Sequence, residues 1–287
     1  MKKIIHKNDG SVDVHDILCT TYDILCTTYQ MRNFYFQFRD GFFTGLDVMN
    51  YIQHYKAVKM MKKGQTVLDV CCGRGLLLPM IRYYARDIKK YIGVDIKKEN
   101  IKADRVNVCN NKPIDKNVHY EFDTEWIISN VSEMSNHISE QVDFIIYTSS
   151  IEHMHKVHGE KSLTECGKLL KAGGKMFLSC PNTPEDQSGY DVRYKAHVYE
   201  WKISELRSEL KKNDFTILNE YGLTGSKREF LKILGAESDT VKKFMKPIVE
   251  YMPTEFFTSF CFLPYPEIST EVLIIAQKND NQINFQI

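Results

Sequence analysis

The pattern of apolar positions changes period along the chain. From residue 11 to 62 it is helical: the segment Asp16-Ile-Leu-Cys-Thr-Thr-Tyr22 repeats at once as residues 23–29. The seven-residue period places Ile17 with Ile24 and Tyr22 with Tyr29 on one face of an amphipathic helix. Aromatic residues crowd the stretch from Tyr29 to Phe43, with a break at Asp40-Gly41. Beyond residue 62 short apolar runs alternate with amphipathic stretches. Strands are predicted at Thr66–Val70, Tyr91–Asp95, Val142–Thr148 and Lys175–Cys180, the last introduced by a Lys171–Gly174 turn. Helices are predicted at Leu76–Ala85, Lys98–Val106 and Gly159–Leu170. A third strand falls at His119–Phe122 or Trp126–Ser129, or uses both as a hairpin, after a polar surface excursion over Asn107–Asn117.

Strands that alternate with helices build a parallel sheet covered on both faces. The tail departs from that rhythm, with a helix at Tyr199–Lys212, a strand at Phe215–Tyr221, mostly helix over Ser226–Met252, and a strand at Glu271–Gln277. A last strand reached by a hairpin-like return runs antiparallel to its neighbours. The fold class is therefore α/β, a Rossmann-like doubly wound sheet with an antiparallel last strand. An N-terminal helical cap spans 1–62, the core 63–225, a helical insertion acting as a lid 226–258, and the last strand and tail 259–287.

The chain has 287 residues, 43% of them hydrophobic, enough for one large core. Its 38 basic and 37 acidic residues leave a net charge of +1, which gives no global attraction for nucleic acid or anionic membranes. After Lys2 and Lys3 only Ile4 and Ile5 precede polar residues, too short a run for a signal peptide, and no apolar run suits a membrane span. The expectation is a soluble, cytoplasmic protein with no membrane partner. Eight scattered cysteines form neither a disulfide framework nor paired zinc knuckles, and no CxxxCxxC cluster supports an iron–sulfur centre.

The chemistry gathers at Asp69-Val-Cys-Cys-Gly-Arg-Gly75, between the first strand and first helix. Such a turn places backbone N–H groups and the positive end of a helix at the sheet's carboxyl edge, where open α/β folds bind ligands. Gly73 and Gly75 admit a ligand close to the backbone. Asp95, twenty residues beyond Gly75 at the end of the second strand, suits both hydroxyls of a ribose. Nucleotide-binding sheets of several kinds share those features. Asp69 narrows the choice, because a carboxylate just before the glycines favours a cationic amino acid and sulfonium and repels a pyrophosphate. The strict GxGxxG of dinucleotide sites is absent.

The sequence resembles the class I S-adenosylmethionine-dependent methyltransferases over roughly residues 64–223 and the last strand. Val67–Gly75 is similar to their first motif and Gly93-Val-Asp95 to their second. Val142–Ile146 with Ile151-Glu-His153, and Leu170–Lys175, resemble the later strands. Cys71 departs from the pattern by replacing the usual first glycine. The resemblance implies S-adenosylmethionine as cofactor, with S-adenosylhomocysteine as product. Asp69 and the backbone at Cys71 and Gly73 would hold the methionine moiety, Asp95 the ribose and Ile96 the adenine face, with Gly75 also in the cofactor site. Asn130-Val131, in preference to Asp123-Thr124, would meet the adenine edge, and Ser149 completes the implied cofactor set.

The order Thr148-Ser-Ser-Ile151 lacks the Pro-Pro loop of amino-methylating DNA enzymes, and Cys180-Pro181 reverses the Pro-Cys of cytosine-carbon enzymes. Methyl transfer chiefly needs an acceptor placed in line, with a base if a hydroxyl reacts. In the polar cluster Glu152–His158, His153 is the first choice for that base, with Glu152 and His197 as further catalytic residues, while His155 and His158 fit an exposed helix start. Tyr22, Tyr29, Tyr35 and the insertion would close over the site, and Tyr190, Tyr194 and His197 would line an acceptor pocket.

The expected reaction is transfer to an oxygen or nitrogen of a small molecule, as in the ubiquinone-biosynthesis-like branch, and no metal is assigned. Ile151-Glu-His153, Cys180-Pro-Asn182 and His197–Trp201 also resemble the small-RNA 3′-end 2′-O-methyltransferases. That resemblance implies a metal on Glu152, His153 and His197, with a further glutamate expected where this chain has Ser149. An RNA end is therefore the second acceptor class. A nicotinamide oxidoreductase and a non-catalytic cofactor-binding subunit are the rival classes.

Overall fold

Thr66–Val70 (β1) is buried at all five positions in the computed structural model, as a strand covered on both faces must be. The residues described are 45–73, 75, 77–98, 106–107, 112–113, 121–236, 238–252 and 260–280. The heptad repeat, Tyr22, Tyr29, Tyr35 and the rest of the predicted cap before Gly45 lie outside them. So does most of the predicted helix Lys98–Val106 and of the excursion that follows it.

β1 is joined by Lys90–Asp95 (β2), Asp123–Ile128 (β3), Val142–Thr148 (β4), Leu170–Pro181 (β5), Phe215–Thr224 (β6) and Glu271–Lys278 (β7). These make one seven-stranded sheet of order β3-β2-β1-β4-β5-β7-β6. β1 to β5 run parallel. β7 enters between β5 and β6 and runs antiparallel to both, as the hairpin-like return predicts. The strand order reverses between β1 and β4, which opens a crevice at their carboxyl ends.

Strand alternation sorts the core into two layers. Val67, Phe144, Phe177 and Ile275 pack with Ala57 and Val58 of Gly45–Met60 (α1) and Met80 and Ile81 of Leu78–Tyr84 (α2). Leu68, Ile145, Leu178 and Ile274 pack on the other side. There they meet Leu163 and Cys166 of Lys156–Leu169 (α3) and Leu206 and Leu210 of Ile203–Lys212 (α4). The sheet is doubly wound.

Several predicted boundaries move. β3 begins at Asp123 and covers most of the Trp126–Ser129 alternative; as an edge strand, paired among the described residues with β2 alone, it exposes Asp123 and Thr124. The Lys171–Gly174 turn is a wide bulge inside β5, whose pairing to β4 jumps from Leu170 to Lys175. α4 starts at Ile203 and not at Tyr199, because Tyr199 and Trp201 are buried from an extended segment and Glu205 accepts the Lys202 N–H at the helix start. Val106, predicted to end a helix, pairs with Pro113 in a short antiparallel ribbon. Between β6 and β7 stand Lys227–Ala236 (α5) and Asp239–Tyr251 (α6). Among the described residues no helix is long and apolar enough to cross a membrane.

Candidate active site

After β1 the backbone turns through three left-handed residues, Cys71 (φ 58°), Gly73 (φ 55°) and Gly75 (φ 72°). The Cys72 N–H donates to the Val94 carbonyl at 2.9 Å and fastens the turn to β2. The two glycines do different work. Among the described residues a methyl group at Gly73 would meet nothing within 4 Å, which leaves room for a ligand beside the turn. At Gly75 it would lie 2.5 Å from Cη2 of Trp126. Gly75→Ala is accordingly expected to destabilise the fold by about 2–4 kcal/mol through overpacking and left-handed strain, seen as a lowered Tm, whereas Gly73→Ala carries the strain alone. Equal Tm values for the two variants would refute this division.

Cys71 tolerates a conformation that favours glycine. Burial pushes its thiol pKa up, and Asp95, Asp69 and Glu152 add to the effect. The sulfur stays protonated, which removes it as a nucleophile. Cys71, Cys72, Cys166, Cys180 and Cys261 are all unbridged.

Two carboxylates frame the turn. Asp69 is buried on β1 and accepts the Tyr91 hydroxyl at 2.7 Å. Burial raises its pKa to about 7, the tyrosine bond opposes this and Asp95 reinforces it. Asp95, the last residue of β2, accepts the Gly73 N–H at 3.0 Å on one oxygen and the Lys97 N–H at 2.8 Å on the other. Ile96 beside it is 63% exposed. Ser129 donates its N–H to the Asp95 carbonyl at 3.1 Å, which brings the end of β3 to the same edge. There Asn130 caps the short helix Val131–Asn136 through the Ser132 N–H at 3.1 Å, with Val131 buried below. Asp123 and Thr124 pair with Lys90 and Tyr91 at the amino end of β3, on the opposite edge of the sheet.

The second half of the site lies beyond β4. Ser149 adopts φ 46°, and its N–H donates to the Ser179 carbonyl at 2.9 Å. From α1 the fully buried Gln53 donates to the Ser149 hydroxyl at 3.2 Å and accepts that of Ser179 at 2.5 Å. His54, the next residue, stands 3.5 Å from the Thr148 hydroxyl, and burial lowers its pKa to about 4, so its ring is neutral. A single helical turn, Ile151–His153, then buries Glu152 and exposes His153. The loop after β5 folds back over it, with the N–H groups of Val198 and Tyr199 donating to the Glu152 carbonyl at 2.7 and 3.2 Å. That return sets His197 against His153, ring centroids 5.1 Å apart.

Both imidazoles are oriented by their Nδ1 atoms. That of His153 is 2.9 Å from the Ala196 carbonyl, which can only accept, so Nδ1 carries the hydrogen. That of His197 is 2.7 Å from Glu200, whose carboxylate also takes the Arg193 guanidinium at 2.8 Å. Burial works against the charge on Glu200, but the bonds from His197 and Arg193 outweigh it and hold its carboxyl below the usual range. In the neutral rings each Nε2 therefore presents a lone pair. Ligand atoms of Glu152, His153 and His197 all lie within 4.8 Å of one another. Among the described residues, Oε2 of Glu152 is buried with no hydrogen-bond partner, and burial, with the Glu200 charge, raises the carboxyl pKa to about 8.

Residues 50–220 match a protein family described as a methyltransferase domain. The chain belongs to that family. Among solved structures it is similar to the YcgJ protein of Bacillus subtilis, with 20% identity over 80% of this chain and 99% of that one and a TM-score of 0.50. It is also similar to the N-methyltransferase NodS of Bradyrhizobium japonicum WM9, solved with S-adenosyl-L-homocysteine, at 12% identity over 81% and 87% of the two chains and a TM-score of 0.50. The small RNA methyltransferase HEN1 shares 16% identity over 80% of this chain but 25% of its own length, with a TM-score of 0.52. No curated protein matches the sequence significantly.

The chain thus carries a methyltransferase domain, and its fold is the one those structures share. In this methyltransferase the residues singled out from sequence form two groups along one edge. Asp69, Cys71, Gly73, Gly75, Asp95, Ile96, Asn130 and Val131 surround the glycine turn, while Glu152, His153 and His197 stand together beyond β4, past Ser149. Gln53, Arg193, Glu200 and Glu271 are additions. Glu200 lay in view within His197–Trp201, whereas Gln53 and Glu271 have no neighbouring motif to mark them. His155 and His158 are exposed at the start of α3.

Proposed function

We propose that this methyltransferase transfers the methyl group of S-adenosylmethionine to a hydroxyl oxygen of a small molecule oriented by a divalent cation on Glu152, His153 and His197. The observation that carries this reading is the pair of imidazoles with Nε2 lone pairs, gathered with a buried carboxylate whose second oxygen is unsatisfied. One carboxylate and two imidazoles suit a first-row transition ion better than magnesium. The bond from His197 to Glu200 is the outer carboxylate that orients a metal-binding histidine. A cation there would supply Lewis acidity, lowering the pKa of an acceptor hydroxyl.

The other residues bind and position. Asp69 faces the cationic end of the cofactor, the backbone at Cys71, Gly73 and Gly75 takes its methionine portion, and Asp95 accepts from the ribose hydroxyls. Ile96, Asn130 and Val131 border the adenine, and Ser149 stands between cofactor and acceptor. Tyr190 and Tyr194, both more than 60% exposed, border the acceptor side, with the Tyr194 ring 5.3 Å from that of His197. The insertion carrying α5 and α6 would cover the acceptor and exclude water. A second reading keeps His153 as the proton acceptor without a cation, favoured by the Nδ1–H bond to Ala196 that leaves Nε2 basic.

Labelled cofactor offered with small-molecule and RNA fractions separates these readings. Label is expected in the small-molecule fraction, lost with EDTA and restored by manganese. Transfer that survives EDTA selects the His153 base. Transfer into RNA moves the acceptor to a nucleic-acid end, and label in neither fraction overturns the proposal.

A further inference from the structure

Glu271 begins β7 at the carboxyl edge, opposite Pro181 of β5 and Thr224 of β6. It is 7% exposed, and among the described residues its Oε1 has no hydrogen-bond partner. The charged groups facing it are Glu152, Arg193 and Glu200, and Ser149 lies beside its carboxyl. Arg193 is already engaged by Glu200 and by the carbonyls of Asn182 and Thr270. Two buried carboxyls whose charges interact, from β7 and from the turn after β4, thus each keep an oxygen without a donor among the described residues.

Unpaired buried oxygens are expensive, and a shared positive ligand would satisfy both. Two neutral imidazoles and one carboxylate leave a divalent ion with a net charge of +1. One more carboxylate nearby would neutralise it. Glu271 is not among the residues whose ligand atoms all lie within 4.8 Å of one another, so its place is in the outer shell of the site.

We propose that Glu271 is the charge-balancing outer carboxylate of a transition-metal site whose ligands are Glu152, His153 and His197, contributed by the last strand of the sheet. This rests on the cation reading given above. It assigns Glu271 a positioning role, acting on the ion and not on the acceptor.

The test is titration of the full-length protein with cobalt(II), read by visible absorption and calorimetry, for the wild type, Glu271→Gln and Glu271→Asp. The wild type is expected to bind one ion. Glu271→Gln should weaken that binding about 10–100-fold, as loss of an outer-shell partner does, with Glu271→Asp in between. Affinity for S-adenosylhomocysteine should be unchanged, which shows the variants are folded. Absence of cobalt binding by the wild type overturns the cation reading and this inference together. Wild-type cobalt affinity in Glu271→Gln overturns this inference alone. If Glu271→Gln fails to fold, cobalt affinity of Glu271→Asp equal to wild type does the same.

Discussion

Asp95→Ala is expected to lower affinity for S-adenosylhomocysteine by roughly two to three orders of magnitude. Asp95 holds the glycine turn through the Gly73 N–H while fastening Lys97 on its other side, so the carboxylate shapes the surface that the cofactor meets. It also offers acceptor lone pairs to a ribose diol. Hydrogen bonds to a charged group contribute about 1.5–3 kcal/mol each, and losing two from the lower part of that range, about 1.5–2 kcal/mol each, gives about 3–4 kcal/mol, or a factor of about 10²–10³. Asp95→Asn keeps one acceptor and should fall between. Calorimetric titration with S-adenosylhomocysteine measures both, and an alanine variant within about threefold of wild type would sink the assignment.

For Glu152→Gln, stability and turnover should move in opposite directions. The glutamine has the same shape without a charge to bury. In the metal-free protein the Glu152 carboxyl has its pKa raised from 4.5 to about 8, mainly by burial. Between those values the unfolded chain releases a proton that the folded chain keeps, so this group's contribution to stability is full at acid pH and declines as pH rises from 4.5 towards 8. With EDTA present, the Tm values of wild type and variant should converge near pH 5, and the variant should be the more stable near pH 8. Manganese should restore the wild type and leave the variant unchanged. Turnover should fall about 100-fold or more, since a ligand matters at least as much as its outer shell. A variant that methylates normally would refute the role of Glu152.

What could be read from sequence followed local physics. Asp69, the glycines and Asp95 occupy two adjacent strand ends, so their spacing is fixed by one strand-helix-strand unit and shows in the sequence. The antiparallel last strand followed from the break in alternation. Segments whose burial imitates another period were misread. Tyr199, Ile203, Leu206 and Leu210 are spaced like a helical stripe, yet Tyr199 reaches the core from extended chain, its N–H donating to Glu152. β3 carries a weak sequence signal because an edge strand needs little hydrophobicity on its outer positions. Gln53 and Glu271 act through contacts between distant parts of the chain, and a single buried polar residue at a helix face or strand start carries no local mark.

The position of β7 also constrains how the molecule comes to exist. Among the described residues β6 pairs with β7 and with no other strand, and β5 depends on β7 for one of its edges. During synthesis, β1 to β5 emerge and can pair while β6 waits, and the exposed edge of β5 offers itself to any passing strand. Only when residues 271–278 leave the ribosome does the sheet close, and Glu271 arrives with them. A nascent chain stopped in the insertion would hold a formed glycine turn beside an open edge, a species that chaperones would bind and that aggregates without them.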